Sequence, residues 1–422
     1  MNGNKLGVVL FEDKNWEDLY PLTLARPAYE LRFGIKTFLE KAVYTFGANR
    51  LALHARAYLA DVVREAHPDL SVNAIPEDWE RVIFVNGRLI YDENTLKLLE
   101  IQSDAVILNG QGEFVGASLG RDRLQRISMK VQNGELIDFS DFDGLQKVEF
   151  DAKLFHYLWE LVHANGGEIV REYKLLGNSG IYGKVFDGAH IIGDDVFIAE
   201  GAKIYPSVVL DAEEGPIYIE EGAVVMPNST IIGPAYIGRN SRIKIGAKIY
   251  ENVSIGPVCK IGSEVDESIV HSYANKQHDG FLGHAYVAPW VNLGAGTSNS
   301  DLKNNYSNVK VFVRKDKKVD TGSMFVGLMI GDHSKAGINT MFNTGTVVGF
   351  ASNVFGTGFP PKFIPSFAWG GAAGFVEHRI DKAIETARKV MARRKIELTP
   401  AYEKMMRHIF EMTKPERADF AG

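Results

Sequence analysis

The sequence predicts an α/β domain followed by a parallel β-helix and a short helical extension. Three observations predict this fold class. Short apolar strands alternate with helical segments in the first part of the chain, an aliphatic residue then recurs every six positions, and two amphipathic segments follow the last repeat. The 422 residues are enough for two or three domains. We place the domains at residues 1–178, 179–372 and 373–422.

The first 178 residues lack the six-residue step. The stretches LGVVLF, RVIFVNG and DAVILNG are typical of buried strands that end in turns. RPAYELRFGIKTFLEKAVYTFG and DAKLFHYLWELVHANGG are typical of helices between such strands. This alternation predicts a three-layer α/β sandwich.

The six-residue repeat is the strongest pattern in the chain. Its clearest run has seven consecutive β-branched residues, namely Val225, Ile231, Ile237, Ile243, Ile249, Ile255 and Ile261. A period of six fits neither an amphipathic helix nor an alternating strand, but it fits a prism in which three short strands make one coil. A β-sandwich with a chance repeat is the alternative, and seven consecutive matches disfavour it. We therefore expect a parallel β-helix over roughly 180 to 356.

The C-terminal segment begins with the Pro- and Gly-rich stretch GFPPKFIPSFAWGG and continues as two helices. In the first helix, Ile380, Ile384, Ala387 and Met391 share one face. The basic residues at its end, Arg393, Arg394 and Lys395, have two interpretations. They stabilise a helix C-terminus, or they bind a phosphate group of a nucleotide-like donor.

Composition excludes several classes of function. The net charge of −6 provides no basic field for nucleic acid or acidic membranes. The single cysteine, Cys259, excludes a disulfide framework and fits a reducing compartment. No apolar run approaches the ~18 residues of a membrane span. We expect a cytoplasmic protein whose partners are small molecules rather than nucleic acid or membrane.

The stretch NKQHDGFLGHA, residues 275–285, interrupts the repeat and places His278 on a bend, with His284 close behind. A second polar insertion follows VNLGAGT. Insertions in a solenoid lie on its surface and often form its binding face. A ligand site is therefore expected near His278.

The stretch NKQHDGFLGHAYVAPWVNLGAGT resembles bifunctional glucosamine-1-phosphate acetyltransferases and N-acetylglucosamine-1-phosphate uridyltransferases. Hexads such as IGPVCKIG are similar to those of left-handed β-helix transferases, and the predicted handedness comes from that resemblance. LYPLTLARPAYELRFGIKTFLEKA resembles a divergent sugar nucleotidyltransferase domain. The resemblance also implies a homotrimer.

The resemblance implies that His278 is the general base that takes a proton from a sugar amine while the amine attacks the thioester of acetyl-CoA. A histidine suits this role because its ordinary pKa is about 6.5. The positions implied for the sugar substrate are Asn292, Phe281 and Tyr250. Lys276 is added as a cation that could replace a missing basic residue of the family pattern. Those implied for acetyl-CoA are Ala295 and Asp301, and the interpretation of the C-terminal helix adds Arg393 to them.

Several of these positions depart from the family pattern. The two basic residues that hold the sugar phosphate fall on Tyr250 and Asp266, and Phe281 lacks the expected hydroxyl. Asp301 stands where the family carries asparagine. Another cation, Lys276, Lys248 or Lys303, must then hold the phosphate, or the acceptor is different.

The N-terminal domain departs further. The place of the Gly-rich phosphate loop reads FEDKNWEDLYPLT, and Arg88 stands where a magnesium-binding aspartate is expected. Arg26, Arg32 and Arg88 either form a substitute phosphate site or make ion pairs on a domain that has lost its chemistry. Mg²⁺ is expected only if this domain is active.

The leading hypothesis is therefore a transferase of amino-sugar activation. It would acetylate glucosamine 1-phosphate or a related amino sugar with acetyl-CoA and couple the product to a nucleoside triphosphate, giving a nucleotide sugar such as UDP-N-acetylglucosamine. Three alternatives remain: only one half is active, the protein is a non-catalytic sugar-nucleotide scaffold, or it is a γ-type carbonic anhydrase-like enzyme with zinc on His271, His278 and His284. The leading hypothesis includes no metal on the β-helix.

Overall fold

The computed structural model describes residues 6–420. Its N-terminal domain is built on a seven-stranded sheet in which only Phe114–Gly120 runs antiparallel to its neighbours. In spatial order the strands are Gln146–Glu149, Ala105–Leu108, Phe114–Gly120, Arg81–Asn86, Leu6–Phe11, Leu51–Leu53 and Ser71–Val72. Two short antiparallel pairs flank it, Arg32–Phe33 with Lys36–Thr37 and Leu89–Ile90 with Lys153–Leu154.

Helices cover both faces of this sheet. They are α1 (Phe38–Phe46), α2 (Ala60–Ala66), α3 (Arg121–Asn133) and α4 (Leu158–Leu176). Alternation along the first strand directs Val8 and Leu10 into the core that α1 and α4 share, and Val9 and Phe11 into the core that α3 closes. The predicted three-layer arrangement is confirmed.

Short 3-10 helices connect the elements of the N-terminal domain, and one more lies near the end of the described residues. They are Lys14–Leu19, Leu22–Leu24, Ala28–Glu30, Ala48–Arg50, Thr95–Glu100, Phe139–Phe142 and Lys414–Arg417. Helix α1 begins at a capping box, because the Thr37 hydroxyl accepts from the Glu40 N–H while the Glu40 carboxylate accepts from the Thr37 N–H. The predicted domain boundary at 178 falls between the end of α4 and Gly180, the first residue of the β-helix.

The second region is a parallel β-helix with three faces. The first face contains Gly180–Ile181, Val196–Ile198, Ile217–Ile219, Ala235–Ile237, Val253–Ile255, Ile269–Val270, Tyr286–Val287, Met329–Ile330, Val347–Val348 and Phe363–Ile364. The second face contains Lys184–Val185, Lys203–Ile204, Val224–Val225, Arg242–Ile243, Lys260–Ile261, Asn275–Lys276, Asn292–Leu293, Lys335–Ala336, Asn353–Val354 and Ala368–Gly371, with Gly374–Glu377 antiparallel at its end.

The third face contains His190–Ile192, Val209–Asp211, Thr230–Ile232, Lys248–Ile249, Glu264–Asp266 and Phe281–Gly283. Ser298–Asn299 pairs separately with Met341–Phe342. The second insertion forms a hairpin, Lys310–Arg314 with Lys317–Asp320.

The register explains the six-residue repeat. Val225 pairs with Ile243, and Ile243 pairs with Ile261, so residues eighteen apart stack on the same face in successive coils. The intervening steps of six, Ile231 and Ile237, lie on the other two faces. All five side chains are at most 1% exposed, and the apolar column down the prism axis is therefore continuous.

The extension consists of α5 (Ile380–Ala392) and α6 (Pro400–Met412). The predicted face of α5 is buried through Ile384, Ala387 and Met391. With the helical extension in place, the predicted fold class is confirmed. No helix within residues 6–420 combines the length and the apolar character that a membrane span requires.

Candidate active site

The bend that carries His278 is organised by Lys276. The Lys276 side chain is buried, and its amine donates to the carbonyl oxygens of His278 and Asp279. Burial lowers the pKa of this amine to about 8. Gly280 completes the bend at φ +129°, where a Cβ would lie 2.1 Å from the Thr297 carbonyl oxygen. The His278 side chain is consequently exposed, and it makes no hydrogen bond with the rest of residues 6–420.

Next to this bend, the second face of the β-helix carries a cleft of about 280 Å³, which the C-terminal end of α5 covers. We call it the basic cleft, because four of its lining residues are cationic and none is acidic. Its lining residues are Lys260, Tyr273, Asn275, Gln277, Trp290, Asn292, Lys335, Val390, Arg393 and Arg394.

The β-helix register builds the floor of this cleft. Lys260 pairs with Asn275, Asn275 with Asn292, and Asn292 with Lys335, so four outward side chains form one column. Successive strands are about 4.8 Å apart, and the column is therefore about 14 Å long. Asn275 links the two sides of the cleft, because its amide donates to Asn292 at 3.3 Å and its oxygen accepts from Arg394 at 2.9 Å.

The positive charge in the basic cleft is not compensated within it. Burial and the neighbouring guanidinium groups, including Arg394 and Arg393, lower the pKa of Lys260. Burial lowers the pKa of Lys335 to about 8, and its amine donates to the His333 carbonyl at 2.7 Å. The Nε of Arg394 is buried and lacks a hydrogen-bond partner in residues 6–420. Clustered cations with an unpaired buried donor favour an anionic ligand.

An aromatic wall closes one side of the cleft. The rings of Tyr273 and Trp290 stack with centroids 4.5 Å apart and an interplanar angle of 20°. Aromatic faces next to cations suit a ligand that has both a flat ring and a negative charge.

The structure brings some of the predicted acetyl-transfer residues together and separates others. Asn292 and Arg393 line the basic cleft, and Gln277, which precedes His278, lines it as well. Ala295 lies just beyond the Asn292 strand. Its carbonyl accepts from the Asn339 N–H at 2.7 Å, whereas its own N–H has no partner in the described part of the chain.

The other predicted positions lie outside the cleft. Tyr250 is 37% exposed and follows a third-face strand, and Phe281 begins another strand of that face. Asp301 accepts from His284 Nδ1 at 2.8 Å. The Lys276 amine is directed into the bend.

The three histidines of the carbonic anhydrase-like alternative do not converge. His271 is buried against the N-terminal domain, where its Nε2 lies 2.8 Å from the Glu30 carbonyl oxygen, whereas His278 is exposed and His284 is paired with Asp301. That alternative is wrong, because the ring nitrogens of a zinc site must all lie about 2 Å from one ion.

The three N-terminal arginines are buried and engaged within the chain. Arg26 makes a two-pronged ion pair with Asp332 of the β-helix, with one contact at 2.9 Å. Arg32 donates to the carbonyl oxygens of His271 and Ile35. Arg88 pairs with Asp13 at 2.7 Å and 3.2 Å. The structure does not bring the three guanidinium groups together around one ligand position.

The residues at the expected magnesium position do not fit Mg²⁺. A guanidinium group, Arg88, stands where a carboxylate is required, and the oxygens of the adjacent Asp13 accept from Arg88, Asn86 and Asn15. The residue before Asp13 is not available for Mg²⁺ either. The buried Glu12 carboxylate already accepts hydrogen bonds from Arg56 and from the Ala28 N–H.

Sequence reasoning named Arg394 among the candidates for a phosphate contact, but it missed Lys260 and Lys335. The two lysines directly precede inward residues of the repeat, which predicts that they point outward. Their proximity was not predictable, because 74 residues and two insertions separate Lys260 from Lys335.

Comparison with known proteins agrees with this architecture. Residues 8–180 match the family model described as sugar nucleotidyl transferase. A bifunctional sugar-1-phosphate nucleotidylyltransferase/acetyltransferase of Sulfurisphaera tokodaii is 32% identical over 158 residues, covering 37% of each chain. A bifunctional protein GlmU of Methanococcus aeolicus is 28% identical over 299 residues, covering 63% of this chain and 69% of the relative.

The extent of these matches differs. The chain spans 37% of the Sulfurisphaera protein and 30% of the bifunctional protein GlmU of Carboxydothermus hydrogenoformans, to which it is 32% identical over 138 residues. The solved structure of Francisella novicida UDP-N-acetylglucosamine acyltransferase aligns with 57% of this chain and 76% of that chain, at 15% identity and a TM-score of 0.31. The predicted resemblance is confirmed: the chain is similar to the bifunctional GlmU proteins, and residues 8–180 match the sugar nucleotidyl transferase model.

Proposed function

We propose that the β-helix transfers an acetyl group from acetyl-CoA to the amine of a sugar phosphate, such as glucosamine 1-phosphate. The observation that carries this proposal is the uncompensated positive charge of the basic cleft beside an exposed histidine. Both substrates carry phosphate, and the cleft has the cations to bind it. The names of the bifunctional relatives support the same reaction class.

In this proposal the cations of the cleft hold phosphate oxygens. Lys335 is a partly buried cation at one end of the column, and Arg394 contacts the column from the opposite side, where its Nε lacks a partner in residues 6–420. Tyr273 and Trp290 pack against a ring of the bound substrate. His278 comes three positions after Asn275 in the sequence, which is a reach of at most about 10 Å. A substrate bound in the cleft can therefore extend its reactive end to the histidine.

His278 acts as the general base. Its neutral imidazole takes a proton from the amine while the amine nitrogen attacks the thioester carbonyl carbon. The carbonyl oxygen becomes negative, and the free N–H of Ala295 is the donor we assign to it. The carbon–sulfur bond then breaks, an amide forms, and the CoA thiolate leaves and is protonated.

We also propose a homotrimer, for which the mass in light scattering would be three times 46.8 kDa.

The test is CoA thiol release by the purified full chain, given acetyl-CoA and a panel of amino-sugar phosphates. His278→Ala is expected to lower kcat by about 10²- to 10⁴-fold, because general base catalysis supplies roughly that factor. His190→Ala is the matched control, since His190 is another exposed histidine of the β-helix. Equal rates for the two variants, or no release with any acceptor, would contradict the proposal.

A second candidate function is nucleotidyl transfer by the N-terminal domain, which the family match over residues 8–180 favours. An oxygen of a sugar 1-phosphate would attack the α-phosphorus of a nucleoside triphosphate and release pyrophosphate. Pyrophosphate release should then require both substrates and persist in His278→Ala. No release with any of the four common nucleoside triphosphates, with Mg²⁺ present, would contradict this function and leave the β-helix proposal intact.

A further inference from the structure

Three metal-ligating side chains meet on the β-helix outside the basic cleft. Asp266 ends a third-face strand and pairs in register with Gly283, which places the following residue, His284, beside it. Asp301 lies at the start of the second insertion. One ligand atom from each of the three side chains lies within 4.8 Å of the other two, and His284 Nδ1 is 2.8 Å from Asp301 Oδ2.

Neighbouring rings hold the histidine of this cluster in place. The His284 ring stacks on Phe325 at 5.1 Å and meets the His163 ring of α4 edge-on at 5.9 Å. The side chains of His284 and Asp301 are only 13% and 15% exposed. The ligand atoms are therefore held together before any ion binds, which lowers the cost of ordering them.

The cluster has an excess of negative charge. The Asp266 carboxylate accepts no hydrogen bond from any group in residues 6–420, although it is partly buried. The carboxylates of Glu251, Glu267 and Asp301 all act on it through space, and His284 is the nearby group that opposes them. One imidazole does not neutralise the negative charge of these carboxylates. A bound cation would neutralise it.

We propose that Asp266, His284 and Asp301 bind a divalent transition-metal ion such as Zn²⁺ or Mn²⁺. One imidazole nitrogen and two carboxylate oxygens form a donor set that suits these ions better than Ca²⁺ or Mg²⁺, which prefer oxygen alone. This site shares only His284 with the three-histidine arrangement that the structure excludes.

The position of the site also indicates what the ion does. It would join the end of a β-helix strand to the base of the insertion that contains Phe325. His163 of α4 contacts the same insertion, because its Nε2 donates to the Phe325 carbonyl oxygen at 2.8 Å. The ion would therefore stabilise the insertion against both the β-helix and the N-terminal domain. It takes no part in the proposed acetyl transfer, and the two proposals can fail separately.

The experiment uses the tag-free full chain, stripped with EDTA, incubated with Zn²⁺ or Mn²⁺, gel-filtered and analysed for metal by mass spectrometry. We expect one equivalent of one of these ions per chain. Asp301→Asn keeps an acceptor for His284 but removes the charge, and it should weaken binding at least about 10-fold in competition with a chromophoric chelator. Asp266→Asn should do the same, and His190→Ala, a remote exposed histidine, should bind like the wild type.

Thermal unfolding provides the second readout. The bound ion should raise the Tm of the wild-type chain and of His190→Ala, with a much smaller rise in the two aspartate variants, because an ion that binds only the folded state stabilises it by mass action. The proposal is overturned if the wild type retains no ion after gel filtration. It is also overturned if both asparagine variants retain as much as the wild type, which would indicate adventitious binding elsewhere.

Discussion

The arginines of the N-terminal domain and the cations of the basic cleft have opposite surroundings. Arg26 and Arg88 each face a buried carboxylate, Asp332 and Asp13. Lys260 and Lys335 face asparagine side chains and other cations, with no carboxylate in the lining of the cleft. The first arrangement is complete within the chain, whereas the second requires an anion from outside.

This difference separates structural charges from binding charges. In an ion pair whose partners are both buried, the attraction between the two charges offsets the free energy lost when each was removed from water. Like charges that share a cleft raise the free energy of the unbound protein and are relieved when an anion binds. Four predictions can break or sharpen the comparison.

The largest effect is expected for the buried ion pair between the domains. Asp332→Ala leaves the Arg26 guanidinium buried without its carboxylate, and the free energy of unfolding should fall by about 3–5 kcal/mol. The measurement is urea unfolding of the full chain. Lys404→Ala removes an exposed pair with Asp61 at 3.4 Å and should cost less than about 1 kcal/mol. Similar losses in the two variants would contradict a structural role for Arg26.

An intermediate effect is expected in the basic cleft. Lys335→Ala removes one cation from the column and should weaken binding of acetyl-CoA or the sugar phosphate by about 10- to 100-fold, the range typical of a lost charged hydrogen bond. Isothermal titration calorimetry measures this affinity directly. The control is Lys404→Ala, an exposed lysine that pairs with Asp61 and does not line the cleft. The role of the cleft is refuted if the control loses as much affinity.

The smallest effect is a pH dependence. The pKa of Lys335 is lowered to about 8, so the amine loses its charge as pH rises from 7 to 9, and anion affinity should fall by about 3- to 10-fold. Lys335→Arg stays charged and should flatten the profile. A fall of the same size in both proteins would show that another group titrates.

The same lysine has the opposite effect on stability. Its pKa is lower in the folded chain, about 8, than the ordinary value of 10.5, so the unfolded state binds more protons between these two values. Its contribution to the free energy of unfolding therefore rises with pH across this window. Comparison of wild type and Lys335→Arg at pH 7.5 and pH 10 isolates this contribution.

Much of the fold was predictable from periodicity. The steps of six from Val225 to Ile261 predicted inward side chains that are now seen to be buried. The site was predictable only in part. His278 lies on its predicted bend and Asn292 in the cleft beside it, whereas Tyr250 and Phe281 belong to another face. The repeat predicts which side chains of a coil point inward. It does not predict which residues of two coils lie side by side when an insertion of irregular length separates those coils in the sequence.

The sequence alone determined the apolar column, because an aliphatic residue at every sixth position has one efficient way to be buried. It also determined where the column is interrupted, since polar insertions are excluded from the prism axis. Only the tertiary structure decided whether each charged side chain is paired within the chain or left free for a ligand. Whether an arginine meets a carboxylate, a carbonyl or open solvent depends on side chains hundreds of residues away, as with Arg26 and Asp332. The energy of a charge is set by its surroundings within a few ångströms, and those surroundings exist only after the domains have packed.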